Sequence, residues 1–325
     1  MLIDFAPSFQ GFNLRPMSVN DVAQALDIVR AADRNATGES SVTLDEIAGD
    51  LSSSTVRETE GAVIAELSGQ PVAFLMCFDE VADGRGMFFD LYVHPDCPMG
   101  HALDIAITLV TCAQNYALSV AHKLAFADVE LKTAIYEADV ASVAAMHELN
   151  LTHHRTFWRM RSQGNFDAPL NPAVTISTAL ESDFPELHQV ASTAFLDYYD
   201  FTPLEYDVWI KRLSEGTHDA NLWRIAKIDS TIVGYAMGSH RYTGENFGYI
   251  TSLGVLKEYR NRGLAKMLLA DQFALNSAKN MKATLLHTDS TNPTGATQLY
   301  EAAGMVRDQT YLAFKKTLKS SVEND

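Results

Sequence analysis

The second half of the chain alternates short apolar segments with amphipathic ones. Strand-like segments are found at Trp223–Ile228, Ile232–His240, Tyr249–Val255, Ala283–Asp289 and Thr310–Lys316. After the third of these, Leu264, Met267, Leu268, Leu275 and Ala278 recur on one face of a predicted helix. This alternation of strands and helices predicts an α/β fold.

The first half follows the same plan. Its predicted strands lie near Phe12–Arg15, Ala62–Glu66, Val72–Phe78, Met87–Val93, Ala125–Val129 and Arg155–Met160. Its predicted helices lie near Asn20–Asp33, Gly100–Ala121 and Asp139–Leu149.

Two pairs of matching segments show that the halves are copies of one domain. The segment that begins at Leu14 resembles the one at Ile176, and the strand ending at Val93 resembles the strand ending at Val255, so both offsets are 162 positions. A polar stretch with two prolines, residues 162–172, reads as a linker. We therefore expect domains at residues 1–161 and 173–318, followed by a tail at residues 319–325.

Composition narrows the class of protein. The chain has 325 residues, 47% of them hydrophobic, which is enough for about two domains. Its net charge of −16, without a long basic stretch, argues against nucleic acid and anionic membranes as partners. Three cysteines without metal-type spacing, and an acidic start where a secretory signal would be basic, favour a cytoplasmic protein with no metal site.

A basic, glycine-containing turn links the strand Tyr249–Val255 to the helix after it. Arg260 and Arg262 provide forked cationic donors, and Gly263 leaves the backbone open just before the helix. The first N–H groups of a helix have no partner within it, and the helix dipole favours negative charge at that end. The turn predicts a pyrophosphate site; a solvated loop is the alternative.

These residues resemble the acetyl-CoA site of the GNAT N-acyltransferases. The resemblance rests on Val255, on Arg260-x-x-Gly263-x-Ala265, and downstream on Asn292 and the run LYEAAGM at residues 299–305. Each piece is common by chance, but their order is specific. The resemblance implies two tandem domains, each a mixed, mostly antiparallel sheet flanked by helices, and acetyl-CoA as co-substrate.

The resemblance also implies roles for individual residues. Two strands would splay beside a bulge near Leu253, Gly254 and Val255, and the pantetheine arm would pair with the open backbone. The diphosphate would lie on the run Arg260, Asn261, Arg262, Gly263, Leu264 and Ala265. The N–H of Leu253 would bind the thioester oxygen and then the oxyanion, Tyr300 would protonate the departing thiolate, and Asn292 would contact pantetheine.

Three of these assignments have structural alternatives. Gly254 can be a packing glycine, and Tyr300 can pack a helix against the sheet. Asn292 can cap the last helix, with Pro293 in its first turn.

The general base and the acceptor site are less clear. Many family members carry a carboxylate where Thr251 and Ser252 stand here, so Glu245, His287 and Asp289 become the candidate bases. Acceptor residues in the family come from the first two helices, where this chain has aromatic side chains among acidic ones: Phe195, Tyr198, Tyr199, Phe201, Tyr206 and Trp209. With Thr251, this region would favour a cationic amine, unless the rings form only a buried face.

The first copy has lost the features of the site. Cys97 and Met99 stand in place of the two arginines, Pro98 removes an N–H donor, and Met146 stands in place of Tyr300. We expect this domain to be structural or to shape the acceptor pocket, with residual cofactor binding through Gly100 left open. A degenerate copy before an intact one is similar to the layout of the mycothiol synthases within the family.

The leading hypothesis is transfer of an acetyl group from acetyl-CoA to the primary amine of a small molecule by direct attack in the second domain, by a monomer or homodimer. A non-catalytic CoA-binding or ligand-sensing tandem protein is the alternative.

Overall fold

The computed structural model describes residues 11–40, 42–52, 61–79, 86–196, 201–214, 217–292 and 294–320. The strands in this part of the chain are β1 (Phe12–Pro16), β2 (Ala62–Leu67), β3 (Gln70–Asp79), β4 (Gly86–Val93), β5 (Asp128–Tyr136), β6 (Thr152–Ser162), β7 (Thr175–Thr178), β8 (His218–Ile228), β9 (Thr231–Ser239), β10 (Phe247–Val255), β11 (Ala283–Asp289) and β12 (Met305–Lys319). The α-helices are α1 (Val22–Thr37), α2 (Leu44–Ser52), α3 (Met99–Lys123), α4 (Val140–Glu148), α5 (Phe184–Ala194), α6 (Tyr206–Ser214), α7 (Leu264–Ala278) and α8 (Ala296–Ala302).

The chain forms two compact units. The first comprises residues 1–156 and 309–325, and the second comprises residues 157–308. The strand order is β1-β2-β3-β4-β5-β12 in the first unit and β7-β8-β9-β10-β11-β6 in the second. The pair β4–β5 and its counterpart β10–β11 are parallel, and the other described pairs are antiparallel. The predicted mixed, mostly antiparallel sheets flanked by helices are confirmed.

The units differ from the continuous ranges 1–161 and 173–318 expected from the sequence. The last strand, β12, pairs with β5 of the first unit from Tyr311 to Lys319. The strand that was expected to close the first domain, Arg155–Met160, lies in β6, and residues 157–161 of β6 instead pair with β11 of the second unit. Two similar strands can satisfy either sheet edge, so their local patterns do not specify the partner.

Helices cover both faces of each sheet. In the first unit α3 packs on one face and α1 with α2 on the other, which produces two separate apolar clusters. In the second unit α5 and α6 contact one face, and α7 and α8 contact the other. The central strand β9 is buried at every position after Thr231, as expected for a strand covered on both sides.

The strand predicted at residues 125–129 is wrong in its bounds. Ala125 adopts a left-handed conformation just after α3, and the strand β5 begins at Asp128. Its buried positions Val129, Leu131, Thr133 and Ile135 alternate to its end, so the true strand is longer than the segment predicted.

Helix α3 is, among the described residues, the one helix long and apolar enough to cross a membrane. Half of its most apolar window is buried in the first unit, where Ile105, Leu109 and Tyr116 belong to the core. This burial is typical of a core helix.

A candidate acyl-CoA cleft in the second unit

A bulge divides β10 into two parts. Ile250 pairs with Gly238 and Ser252 with Met237, so Thr251 is an extra residue without a partner on β9. The Thr251 hydroxyl donates to the carbonyl oxygen of Met237 at 3.0 Å. The sequence predicted the bulge near Gly254. The bulge lies three residues earlier, at Thr251.

Gly254 has a different structural reason. A Cβ at this position would lie 2.6 Å from Cε1 of Tyr235 and 3.0 Å from Cβ of Ala194. The Tyr235 ring is almost fully buried, and its hydroxyl lies 2.8 Å from Oγ of Ser252. Gly254 is thus required because the Tyr235 ring packs across the strand. This agrees with the alternative in which Gly254 is a packing glycine.

Beyond the bulge, β10 separates from its parallel neighbour. The β10–β11 ladder ends at Ile250 and Leu286, whereas β10 continues to Val255 and β11 to Asp289. Each strand keeps its other partner, β9 and β6 respectively. The result is a wedge-shaped opening between the two strands within the second unit.

The peptide group of Leu253 faces this opening. The N–H of Leu256 donates to Val233 O of β9, and successive peptide groups of a strand point to opposite sides. By this alternation Gly254 also points to β9, whereas Leu253 and Val255 point away from it. The N–H of Leu253 is therefore directed into the opening.

The turn after β10 places a helix end at the mouth of the opening. Asn261 and Gly263 both have positive φ, of 62° and 81°, and Gly263 is the N-cap of α7. The first helical bond is from Met267 N to Gly263 O, and the N-cap glycine has no side chain to offer as an acceptor. The N–H groups of Leu264, Ala265 and Lys266 therefore lack partners within the helix.

The two arginines of the turn have different surroundings. Arg260 donates from Nε to Val255 O at 3.1 Å and from Nη2 to Ala194 O at 2.9 Å, so it anchors the turn to β10 and α5. Arg262 is exposed, and its Nη2 donates to Glu258 O at 3.0 Å. Lys266, in the first turn of α7, adds a third cation that the sequence analysis missed; its signal was a basic residue one turn after a glycine cap.

The opening and the turn belong to one cleft of about 920 Å³. Its lining includes all the cofactor-binding residues proposed from the sequence: Leu253, Gly254, Val255, Arg260, Asn261, Arg262, Gly263, Leu264, Ala265, Asn292 and Tyr300. Thr251, His287 and Asp289 also line it.

Tyr300 lies on α8, which packs beside Ile250 and Leu286. The short helix begins at Ala296 after Gly295, so Asn292 is not its cap. Instead, Oδ1 of Asn292 accepts bonds from N and Oγ1 of Thr294, at 2.9 and 2.6 Å. Pro293 lies outside the described residues.

His287 is held as a neutral imidazole. Burial, then the positive charges of Arg241 and Arg159, lower the pKa of His287 to about 3. Burial raises the pKa of Tyr249 to about 12, and its hydroxyl, which Arg241 bonds, lies 2.9 Å from Nδ1 of His287. Because Arg241 can only donate to the tyrosine oxygen, the hydroxyl proton is available to Nδ1 of the neutral ring. Such a ring is a poor general base at neutral pH.

The remaining candidates for catalysis and acceptor binding are dispersed. Glu245 lies before the start of β10, at the end of the strand opposite to the opening, and does not line the cleft. Phe201 packs on Phe195, a lining residue, with ring centroids 5.6 Å apart. Tyr198 and Tyr199 lie outside the described residues.

Comparisons with known proteins agree with this geometry. The sequence model of the acetyltransferase (GNAT) family matches residues 184–305. No curated protein matches the chain significantly.

Two solved structures share the fold over nearly the whole chain. A GCN5-related N-acetyltransferase from Sphaerobacter thermophilus is 22% identical, with a TM-score of 0.77 over 96% of this chain and 97% of that one. A tandem GNAT protein from the clavulanic acid biosynthesis pathway is 13% identical, with a TM-score of 0.62 over 94% of this chain and 98% of that one.

A third similar structure is larger. A glucosamine N-acetyltransferase region in a fungal multi-domain β-N-acetylglucosaminidase is 16% identical, with a TM-score of 0.67 over 97% of this chain and 39% of that one. The chain has the fold of a tandem GNAT protein, and its residues 184–305 match the acetyltransferase (GNAT) family.

Proposed function

We propose that the second unit transfers an acetyl group from acetyl-CoA to the primary amine of a small molecule by direct attack. The observation that carries the proposal is the split between β10 and β11. It directs the N–H of Leu253 into a cleft that has the open end of α7 at its mouth and Tyr300 on its wall.

The residues of the cleft divide the substrate between them. The N–H groups at Leu264, Ala265 and Lys266 bind the diphosphate, helped by the charges of Arg262 and Lys266. Arg260 holds the turn in place through its bonds to Val255 and Ala194. The backbone of β10 beyond Thr251 pairs with the pantetheine arm, and this places the thioester oxygen at Leu253.

In the reaction, the amine nitrogen forms a bond to the thioester carbon and the carbon–sulfur bond breaks. The N–H of Leu253 stabilises the negative oxygen formed on the way, an interaction of about 3 kcal/mol in comparable sites. Tyr300 gives its proton to the departing thiolate. The proton of the attacking nitrogen passes to Asp289, which is the one carboxylate among the described residues that line the cleft.

For the acceptor, we propose a small primary amine that carries hydroxyl groups or that packs on an aromatic ring. The glucosamine specificity named for the fungal relative makes amino sugars the first compounds to test. The ring of Phe195, backed by Phe201, offers a face on which such a ligand can pack.

The test is release of free thiol from acetyl-CoA in the presence of amino sugars, polyamines and amino acids. We expect Tyr300→Phe to lower kcat about 100-fold, because an acid catalyst contributes at least this factor. The dissociation constant of the Tyr300→Phe variant for CoA should stay unchanged. Tyr242→Phe, at a buried tyrosine of the same unit outside the cleft lining, is the matched control. Undiminished turnover in Tyr300→Phe would contradict the assigned role.

A second function is favoured by one observation, namely that Thr251 and Ser252 replace the usual strand carboxylate. In this alternative, the second unit binds CoA and signals its presence without turnover. Tight CoA binding with no thiol release across the amine panel would support the alternative and exclude the acetyltransferase.

A further inference from the structure

The first unit retains the strand split although it has lost the phosphate-binding turn. The β4–β5 ladder ends at Phe88 and Lys132, whereas β4 continues to Val93 and β5 to Tyr136. Phe88 and Ile250, the last paired residues before each split, are 162 positions apart, which is the repeat offset. A cavity of about 190 Å³ occupies the split of the first unit.

This cavity is smaller for a local reason. Thr133, the first residue of β5 beyond the ladder, donates from Oγ1 to Phe89 O at 2.7 Å and closes the inner end. In the second unit the corresponding first residue beyond the ladder is His287, whose ring bonds Tyr249 instead. The Thr133 bond therefore bridges the two strands of the first unit just beyond their ladder.

The mouth of the cavity lacks the two arginines of the second unit. Cys97 and Met99 stand where the second unit has Arg260 and Arg262, and both line the cavity. Pro98 is the N-cap of α3 and has no N–H. Met99 and Val140 are exposed apolar residues at this mouth. Among the described residues, a diphosphate would find no lysine or arginine here.

The wall is aromatic and acidic. The rings of Tyr92, Tyr136 and Tyr311 line it, and the centroids of the last two are 5.0 Å apart. Asp90 and Asp139 also line it, and no lysine or arginine does so among the described residues. The faces of tyrosine rings attract cations, and the negative carboxylates also attract cations.

A further carboxylate lies behind the rings. The Tyr136 hydroxyl donates to Oδ1 of Asp33 at 2.7 Å, and Asp33 is buried. Asp33 does not line the cavity, so the Tyr136 hydroxyl uses its hydrogen on a carboxylate outside the lining. The first copy thus has carboxylates in the lining of its cavity and lacks the two arginines of the second copy.

We propose that the cavity of the first unit binds a small organic monocation, a primary or quaternary ammonium of roughly four to ten non-hydrogen atoms, which the cavity volume accommodates. The rings of Tyr92, Tyr136 and Tyr311 pack on the cation, and Asp90 supplies the opposite charge. This proposal involves the first unit alone and does not depend on catalysis in the second.

The test is calorimetric titration of the full chain with choline, n-propylammonium and tetramethylammonium chloride, with 3,3-dimethylbutan-1-ol as the uncharged analogue of choline. We expect saturable binding of at least one cation with a stoichiometry of one. The neutral analogue should bind at least about tenfold more weakly, since it lacks the charged interaction. Equal binding of choline and its neutral analogue, or no saturable binding of any of the three cations, would overturn the proposal.

Variants locate the site. Asp90→Asn should weaken cation binding about tenfold, because it removes a charged partner, whereas Asp45→Asn, exposed on α2, should leave it unchanged. Val140→Lys puts a positive charge at the exposed mouth, where folding tolerates it, and should weaken binding, while Val140→Glu should not. If neither Asp90→Asn nor Val140→Lys changes the affinity, the cation binds elsewhere and the assignment is wrong.

Discussion

Replacing Gly254 with alanine tests whether the packing of one tyrosine sets the shape of the cleft. The new Cβ would lie 2.6 Å from Cε1 and 3.0 Å from Cζ of Tyr235. Carbon atoms pack at about 3.5–4.0 Å, so the ring must move by about 1 Å. The ring is buried in one apolar cluster with Ala194 and is bonded at its hydroxyl to Ser252, and therefore has little room to move.

The expected cost follows from these contacts. Overpacking of a core costs about 1–3 kcal/mol. Loss of the Tyr235–Ser252 hydrogen bond adds about 1 kcal/mol. Reduced freedom of the unfolded chain offsets about 0.5 kcal/mol of the total. We expect Gly254→Ala to lower the free energy of unfolding of the second unit by about 1.5–3.5 kcal/mol and to weaken CoA binding through a shifted Leu253.

Urea denaturation followed by tryptophan fluorescence measures this change selectively. All three tryptophans, Trp158, Trp209 and Trp223, belong to the second unit. Gly244→Ala is the control, because a Cβ there meets no atom within 4 Å. In a Tyr235→Val background, Gly254→Ala should cost less. An equal cost in both backgrounds, or a cost below about 0.5 kcal/mol in the native one, would refute the steric explanation.

Three further predictions concern the same unit. Gly263→Ala should cost about 1 kcal/mol through its φ of 81° and should weaken CoA binding in a titration, whereas equal affinity to the Gly244→Ala control would show that the cap conformation is not needed. Asp308→Asn should cost about 3 kcal/mol in urea titrations, because it leaves buried Arg159 without its bidentate partner, and a cost below about 1 kcal/mol would contradict this. The folded-state pKa of His287, about 3, lies below its unfolded value, so the unfolded chain takes up the extra proton as the pH falls from about 6.5 toward 3. Stability should therefore decline over this range and decline less in His287→Asn, and equal losses between pH 7 and pH 4.5 in the two proteins would exclude the shift.

The phosphate-binding turn could be located from sequence because its determinants are local. A strand, a basic turn, Gly263 and an amphipathic helix are consecutive, and the left-handed φ of Gly263 is a property that glycine signals directly. The function of Arg260 was less accessible. Its donors are used by carbonyl groups of Val255 and of Ala194, and the second of these lies 66 residues away in the chain.

The reason for Gly254 and the position of the bulge were equally inaccessible. A glycine in a strand is compatible with a bulge or with close packing, and only the neighbours decide between them. Here the neighbour is Tyr235 on β9. The bulge lies at Thr251, and threonine is not a residue type that is typical of bulges. The pKa of His287 likewise depends on its burial and on Arg241 and Arg159, which lie in other parts of the chain.

The sequence by itself determined the repeat, the order of strands and helices, and the segment where an anion can bind, because these follow from short-range periodicity and from the conformational limits of glycine. Only the tertiary structure decided which closing strand completes which sheet, where the parallel strands part, and that tyrosine rings and carboxylates of the first copy line one cavity. These outcomes depend on contacts between residues far apart in the chain, and no local pattern encodes the partner of such a contact.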